Sequence, residues 1–126
     1  MVNLRAFSLI IFFVLYSLLI PTDSWAAVKF VSAKENYVFY CVSCHGPKGL
    51  GDGINATKTQ PVTPRNHTDA IKMERISDEE LLSVIKDGGR ALGKSTMMPS
   101  FSSTLTEVEI LALKDYLREL CKCVGK

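Results

Sequence analysis

Two cysteines three positions apart, followed at once by a histidine, form the stretch Cys41-Val42-Ser43-Cys44-His45. It limits the fold more than any other feature, because it crowds three reactive or metal-seeking side chains into little more than one helical turn. The stretch closes a predicted helix. A glycine- and proline-rich segment then runs from Gly46 to Ile76, punctuated by Gly46, Pro47, Gly49, Gly51, Gly53, Pro61 and Pro64, which are turn and loop signals. So long a connection is unusual in a compact domain. The apolar core available to a chain of this size is also modest. A bulky apolar cofactor resolves both difficulties, since the loop can wrap it and use it as core.

Cys-x-x-Cys-His is the attachment pattern of c-type haem. Each thiol can add across one vinyl group, and His45, next in line, is held where its imidazole reaches the iron. Two other chemistries use similar residues. A thiol redox pair belongs to a strand-rich fold in which the first cysteine opens a helix; here the pair closes one, and no alternating apolar run marks a sheet. A zinc site would need Cys121 and Cys123, or His67, to complete it, and the spacing Cys121-Lys122-Cys123 is tighter than zinc sites use. The pattern therefore points to one covalent haem c on Cys41 and Cys44, with His45 as an iron ligand.

Three helices are marked by the same device. Ser32-Ala33-Lys34-Glu35, Ser77-Asp78-Glu79-Glu80 and Thr106-Glu107-Val108-Glu109 each read as a capping box, and each precedes an apolar-periodic stretch. The first helix is expected over about 33–42, with Tyr37, Val38, Phe39 and Tyr40. The second is expected over about 78–86, with Leu81, Leu82, Val84 and Ile85, stopping at Gly88-Gly89 in the left-handed conformation common past a helix end. The third is expected over about 107–120, with an apolar face of Val108, Ile110, Leu111, Leu113, Tyr116, Leu117 and Leu120. A short extra helix fits 66–75, with His67 or Thr68 near its start. The fold class is all-α with long loops.

The first 26 residues read as a secretory signal: Arg5, an apolar run from Leu9 to Ile20, then Ser24-Trp25-Ala26 with small residues where a peptidase inspects them. The run is shorter than the roughly 20 residues of a membrane span. Cleavage after Ala26 leaves a domain over 27–126, and the protein is then periplasmic or otherwise exported. An uncleaved N-terminal anchor is the alternative, because Trp25 is an awkward neighbour to the cleavage point, and only then is membrane a partner. The formal charge of +2 is unchanged by losing Arg5 and Asp23. No basic stripe appears, which argues against nucleic acid.

The order Cys44-His45-Gly46, Gly49-Leu50-Gly51-Asp52-Gly53, Asp87-Gly88-Gly89-Arg90-Ala91-Leu92-Gly93, Met98-Pro99-Ser100-Phe101 and Leu105-Thr106-Glu107-Val108-Glu109-Ile110 resembles the small class I cytochromes c. The likeness is to the single-haem domains found with haem-copper oxidases and other respiratory complexes, and it covers about 32–120. The resemblance implies helices wrapped around one haem, the first and last crossing through Tyr37 and Tyr116. Ala33 stands where the family often has glycine, which implies a slightly wider crossing. It further implies Met98, directly before Pro99, as the second axial ligand, with Met97 as a gap filler. A proline carbonyl, from Pro61 or Pro64, would hold the axial imidazole. Arg65 and Arg90 are candidates for the propionates, though loop arginines more often face solvent. His67 is the other candidate iron ligand, although a lone loop histidine usually faces solvent. The implied function is electron transfer between redox proteins, such as an oxidase or dehydrogenase complex, by a carrier and not an enzyme. A haem enzyme or gas sensor with an open iron is the other reading.

Cys121 and Cys123 lie outside the family pattern. A bridge between them closes a very small ring, so bonding to a partner chain or free thiols on a frayed tail are the expectations here. Replacing both Cys41 and Cys44 with Ala should abolish stable haem retention. Cys44→Ala alone should cost one of the two attachments, read from the absorption spectrum of the denatured protein.

Overall fold

The computed structural model describes residues 30–56 and 62–126, so the expected signal segment, 1–26, and Pro61 lie outside the described residues. All regular elements among the described residues are helical. The first helical run joins α1 (Ala33–Asn36), a π-helical segment (Tyr37–Cys41) and α2 (Val42–His45). Downstream come α3 (Ala70–Met73), α4 (Asp78–Asp87), a 3-10 turn (Gly89–Leu92) and α5 (Glu107–Cys121).

All three expected capping boxes are present. Ser32, Ser77 and Thr106 accept from the amides of Glu35, Glu80 and Glu109, whose carboxylates return to the cap residues. The expected boundaries hold to within a residue for α4 and α5. The first run continues three residues further, through His45.

The π segment explains how that run presents its working face. The Val42 N–H donates to Tyr37 O, five residues back. Tyr37, Cys41 and His45 are spaced by four, and in a straight α-helix each such step drifts by about 40°. The wider turn absorbs part of that drift, so all three face the interior while Val38 and Phe39 point to solvent. Single π turns of this kind concentrate at functional sites.

α1 and α5 cross, and Tyr37 and Tyr116 meet edge to face with ring centroids 5.3 Å apart. Ala33 packs against the same core. The face of α5 turned inward is Ile110, Leu113, Leu117 and Cys121. Val108 and Leu111, expected on that face, are exposed, because they lie on the opposite side of the 3.6-residue repeat from Ile110 and Leu113. α4 buries Leu81 and Ile85. The extra helix begins later than expected: Asp69, not His67 or Thr68, is its cap, accepting from Lys72 N at 3.1 Å.

α4 ends on Gly88, whose φ of 82° and ψ of 171° are a glycine-only conformation distinct from the left-handed helical one expected. The reason lies in its neighbours. A Cβ there would stand 2.8 Å from the Met98 carbonyl oxygen, and the loop after it folds back onto the open end of α4. Phe101 N and Ser102 N donate to Ile85 O and Lys86 O, and the Ser100 hydroxyl also donates to Lys86 O at 2.6 Å. These bonds satisfy carbonyls that a helix terminus leaves unpaired.

Cys121 and Cys123 form a disulfide with each other, and both are buried at the end of α5. This corrects the expectation of a partner bond or free thiols. Lys122 between them adopts the left-handed conformation (φ 51°, ψ 42°), which turns the chain sharply and brings the two Cα atoms to 5.2 Å, within bridging range.

Beside it Arg118 ties three elements together. Its guanidinium donates to Met73 O at 2.9 Å, Ile76 O at 2.6 Å and Asp78 Oδ1 at 2.8 Å. Arg118→Ala would strand two carbonyls and leave Asp78 with Lys114 as its cationic partner, and should lower stability by about 2–3 kcal/mol. Asp78→Asn should cost about 1 kcal/mol or less, since its side chain is 42 % exposed. The hydrogen bond from Arg118 holds the Asp78 carboxyl below its usual pKa. That contribution is therefore present at neutral pH and lost as acid protonates Asp78 below the ordinary carboxylate range. Thermal melts of the intact protein at neutral and acid pH check both statements.

Candidate haem-binding site

The last turn of the first helical run lies against the loop that follows it. Gly51 N donates to His45 O, Gly53 N to Cys44 O and Asn55 N to Ser43 O, at 2.8, 3.1 and 2.7 Å. Gly53 is needed for this approach, since a Cβ there would stand 2.4 Å from Ser43 O. The motif is thus clamped from outside while its side chains turn the other way.

They turn into a cavity of about 550 Å³, a size suited to a sizeable ligand. Cys41, Cys44 and His45 border it on one side. Apolar residues of α3, α4 and α5, among them Met73, Leu81, Ile85, Leu113 and Leu117, make up much of the remaining wall. The loop before α5 adds Met97, Met98, Pro99 and Phe101.

Cys41 and Cys44 are unpaired. Burial, with Cys44 beside it, pushes the Cys41 thiol up to about 12, so it stays protonated at neutral pH. A thiol redox pair needs the opposite, a depressed pKa. Nor does any cluster of three or more His, Cys, Asp or Glu among the described residues offer a metal cage.

The imidazole of His45 has a defined tautomer. Its Nδ1 lies 2.9 Å from Arg65 O, and a carbonyl can only accept, so the proton sits on Nδ1 and Nε2 keeps its lone pair. That is the form a metal-bound histidine takes, with its second nitrogen oriented by an outer hydrogen bond. Burial lowers the His45 pKa, a trend the Arg65 bond partly opposes. The carbonyl is that of Arg65 and not of Pro64, its neighbour, one of the two expected to supply it. The Arg65 side chain, like that of Arg90, is exposed.

His67 departs from its expected solvent-facing role. It is 6 % exposed, and its ring stacks on that of His45, centroids 4.1 Å apart and planes at 18°. Its Nδ1 is hydrogen-bonded to the Tyr37 hydroxyl at 3.0 Å. Burial, with His45 and Arg65 adding, pushes its pKa down to about 3, so it is neutral. The burial of Tyr37 raises that phenol's pKa in turn. Sequence reasoning missed this pair because neither a lone histidine nor a tyrosine on a helix carries a spacing signal. The one available hint was Asn66 before His67-Thr68, since Asn side chains commonly hold such turns.

Met98 is half-buried and Met97 is 58 % exposed. The Met98 carbonyl accepts from Gly89 N at 3.1 Å, which anchors the backbone carrying its thioether. Two free thiols, an imidazole with a free Nε2, thioethers and an apolar cavity form a donor set and a container that fit a covalently held haem.

The chain matches the family model described as cytochrome c oxidase, cbb3-type, subunit III, over residues 28–117. Among solved structures it is similar to the c-type cytochrome KustC0563, with 29 % sequence identity and a TM-score of 0.53, covering 71 % of this chain and 98 % of that one. No curated protein matches. With the motif, the all-α fold and the cavity in agreement, this chain belongs to the cytochrome c family of the cbb3-type oxidase subunit III kind.

Proposed function

We propose that the protein is an exported electron carrier with one haem, covalently held by Cys41 and Cys44 and ligated by His45 and Met98, working between respiratory redox partners. The observation that supports this most is the convergence of two unpaired thiols and an Nε2-free imidazole on one apolar cavity. When bound, the haem iron supplies a one-electron couple. Every other part of the work falls to the chain.

Cys41 and Cys44 would hold the haem covalently, so that the carrier keeps its cofactor outside the cytoplasm. His45 would ligate the iron through Nε2, its ring held from behind by Arg65 O. Met98 would be the second iron ligand. Pro99 narrows the backbone conformations open to it, and both methionines lie in a turn at the cavity border. Met98 is also the less exposed of the two. A thioether opposite an imidazole raises the reduction potential, and two protein ligands leave no open position for oxygen or peroxide chemistry. This is the ground for a carrier and not an enzyme.

The apolar wall keeps water away and favours the less charged, reduced state. Donor and acceptor would dock at the rim formed by the segment 88–101, through the small, transient contacts that suit electron transfer. An oxidase or dehydrogenase complex fits the family. No helix among the described residues is long and apolar enough to cross a membrane; residues 1–26, if uncleaved, would supply an anchor.

Met98→Ala should remove the near-infrared sulfur-to-iron band of the oxidised protein, lower the potential and let carbon monoxide bind the reduced form. Met97→Ala should leave all three nearly unchanged. The reverse pattern would assign the ligand to Met97. A band kept in both variants would overturn the choice of Met98 in favour of another methionine, Met73 also bordering the cavity. A band absent from the unaltered protein would exclude methionine ligation and reopen the reading of an open-iron enzyme or sensor.

A further inference from the structure

We infer that His67 is a positioning residue for the axial imidazole, setting the rotation of the His45 ring by stacking on its face. The inference rests on the proposed ligation by His45 and concerns a residue that contributes no bond to iron.

A hydrogen bond at Nδ1 fixes one edge of an imidazole but leaves the ring free to rock about the line of that bond. A flat group against its face removes that freedom. Both restraints here come from the tripeptide Arg65-Asn66-His67: the Arg65 carbonyl holds the edge at 2.9 Å, and the His67 ring covers the face at 4.1 Å, 18° from parallel. The tripeptide is itself pinned. His67 N donates to Gly49 O at 2.6 Å, and Asn66 Oδ1 accepts from both Thr68 N and the Thr68 hydroxyl at 2.8 Å.

The ring of His67 is held independently of its backbone. Tyr37 reaches it at Nδ1 from the same helical run that carries His45, and Tyr37 in turn packs edge to face on Tyr116 of α5. The circuit closes: helix, tyrosine, His67, His45 and back to the helix. Because a ligand's outer partners tune the metal it binds, the crossing of the first and last helices is thereby linked to the orientation of the iron ligand. A filler residue would need neither the near-parallel plane nor a hydrogen bond fixing the ring from its far side.

The plane of an axial imidazole sets the asymmetry of the unpaired electron over an oxidised low-spin haem. The haem-methyl proton shifts and the g-values report that plane directly. The test uses the holoprotein and compares His67→Leu, His67→Phe and Tyr37→Phe. His67→Leu, lacking a flat face, should change the spread and order of the methyl shifts. His67→Phe, which keeps a ring but loses the bond to Tyr37, should move them the same way by less. Tyr37→Phe should move the shifts in the same direction as His67→Leu, by less, and stands in if His67→Leu yields no folded holoprotein. Unchanged shifts in the leucine variant with only a lowered melting temperature would overturn the inference, as would equal shifts for leucine and phenylalanine. Unaltered protein that carries no haem, or whose haem lacks histidine ligation, would instead defeat the proposed function, so the two failures are distinguishable.

Discussion

The hydrogen bond from His45 Nδ1 to Arg65 O joins the end of the first helical run to a loop twenty residues away, and the arrangement of the site follows from it. It selects the tautomer with a free Nε2. It also demands that the chain between the two residues return to the helix, which the glycine-rich segment does by giving its own amides to the carbonyls of Ser43, Cys44 and His45. The same loop then delivers His67 onto the imidazole face and Asp69 as the cap of α3. A loop of this length is tolerable because it is tied down at both ends and closes over a cavity and not over solvent.

The opposite wall is fixed by a different logic. α4 and α5 are ordinary amphipathic helices started by capping boxes, and they bury Leu81, Ile85, Ile110, Leu113 and Leu117. The segment between them turns back to satisfy the carbonyls at the end of α4, and this return places Met98 at the cavity. Arg118 secures the far end of α5 to the chain around α3, and the Cys121–Cys123 bridge closes the end of α5 on itself. The helices thus form a frame whose centre is reserved for a large apolar group, as the modest core of so short a chain requires.

Much of this was legible in the sequence because it is local. The capping boxes and the stop of α4 at Gly88-Gly89 each depend on residues within a few positions of one another, and each appears where the sequence placed it, Gly88 in a different conformation from the one expected. The exposed Val108 and Leu111 show the limit of periodicity: an apolar face was drawn wider than the helix buries. What the sequence hid is non-local. The choice of Arg65 O over Pro64 O, the burial of His67 beneath Tyr37, and the pairing of Cys121 with Cys123 depend on loop paths and on one left-handed residue, Lys122. The π turn at Tyr37–Cys41 was equally invisible, since its residues have no composition of their own.

The central claim is that Cys41 and Cys44 are bonded to one haem whose iron His45 ligates. The most direct measurement is the mass of the proteolytic peptide containing Cys41 to His45, taken from protein produced with haem-maturation machinery and denatured before digestion. The account predicts that peptide at its own mass plus one haem, with neither thiol open to alkylation. A peptide of unmodified mass, with both thiols alkylated, would contradict it.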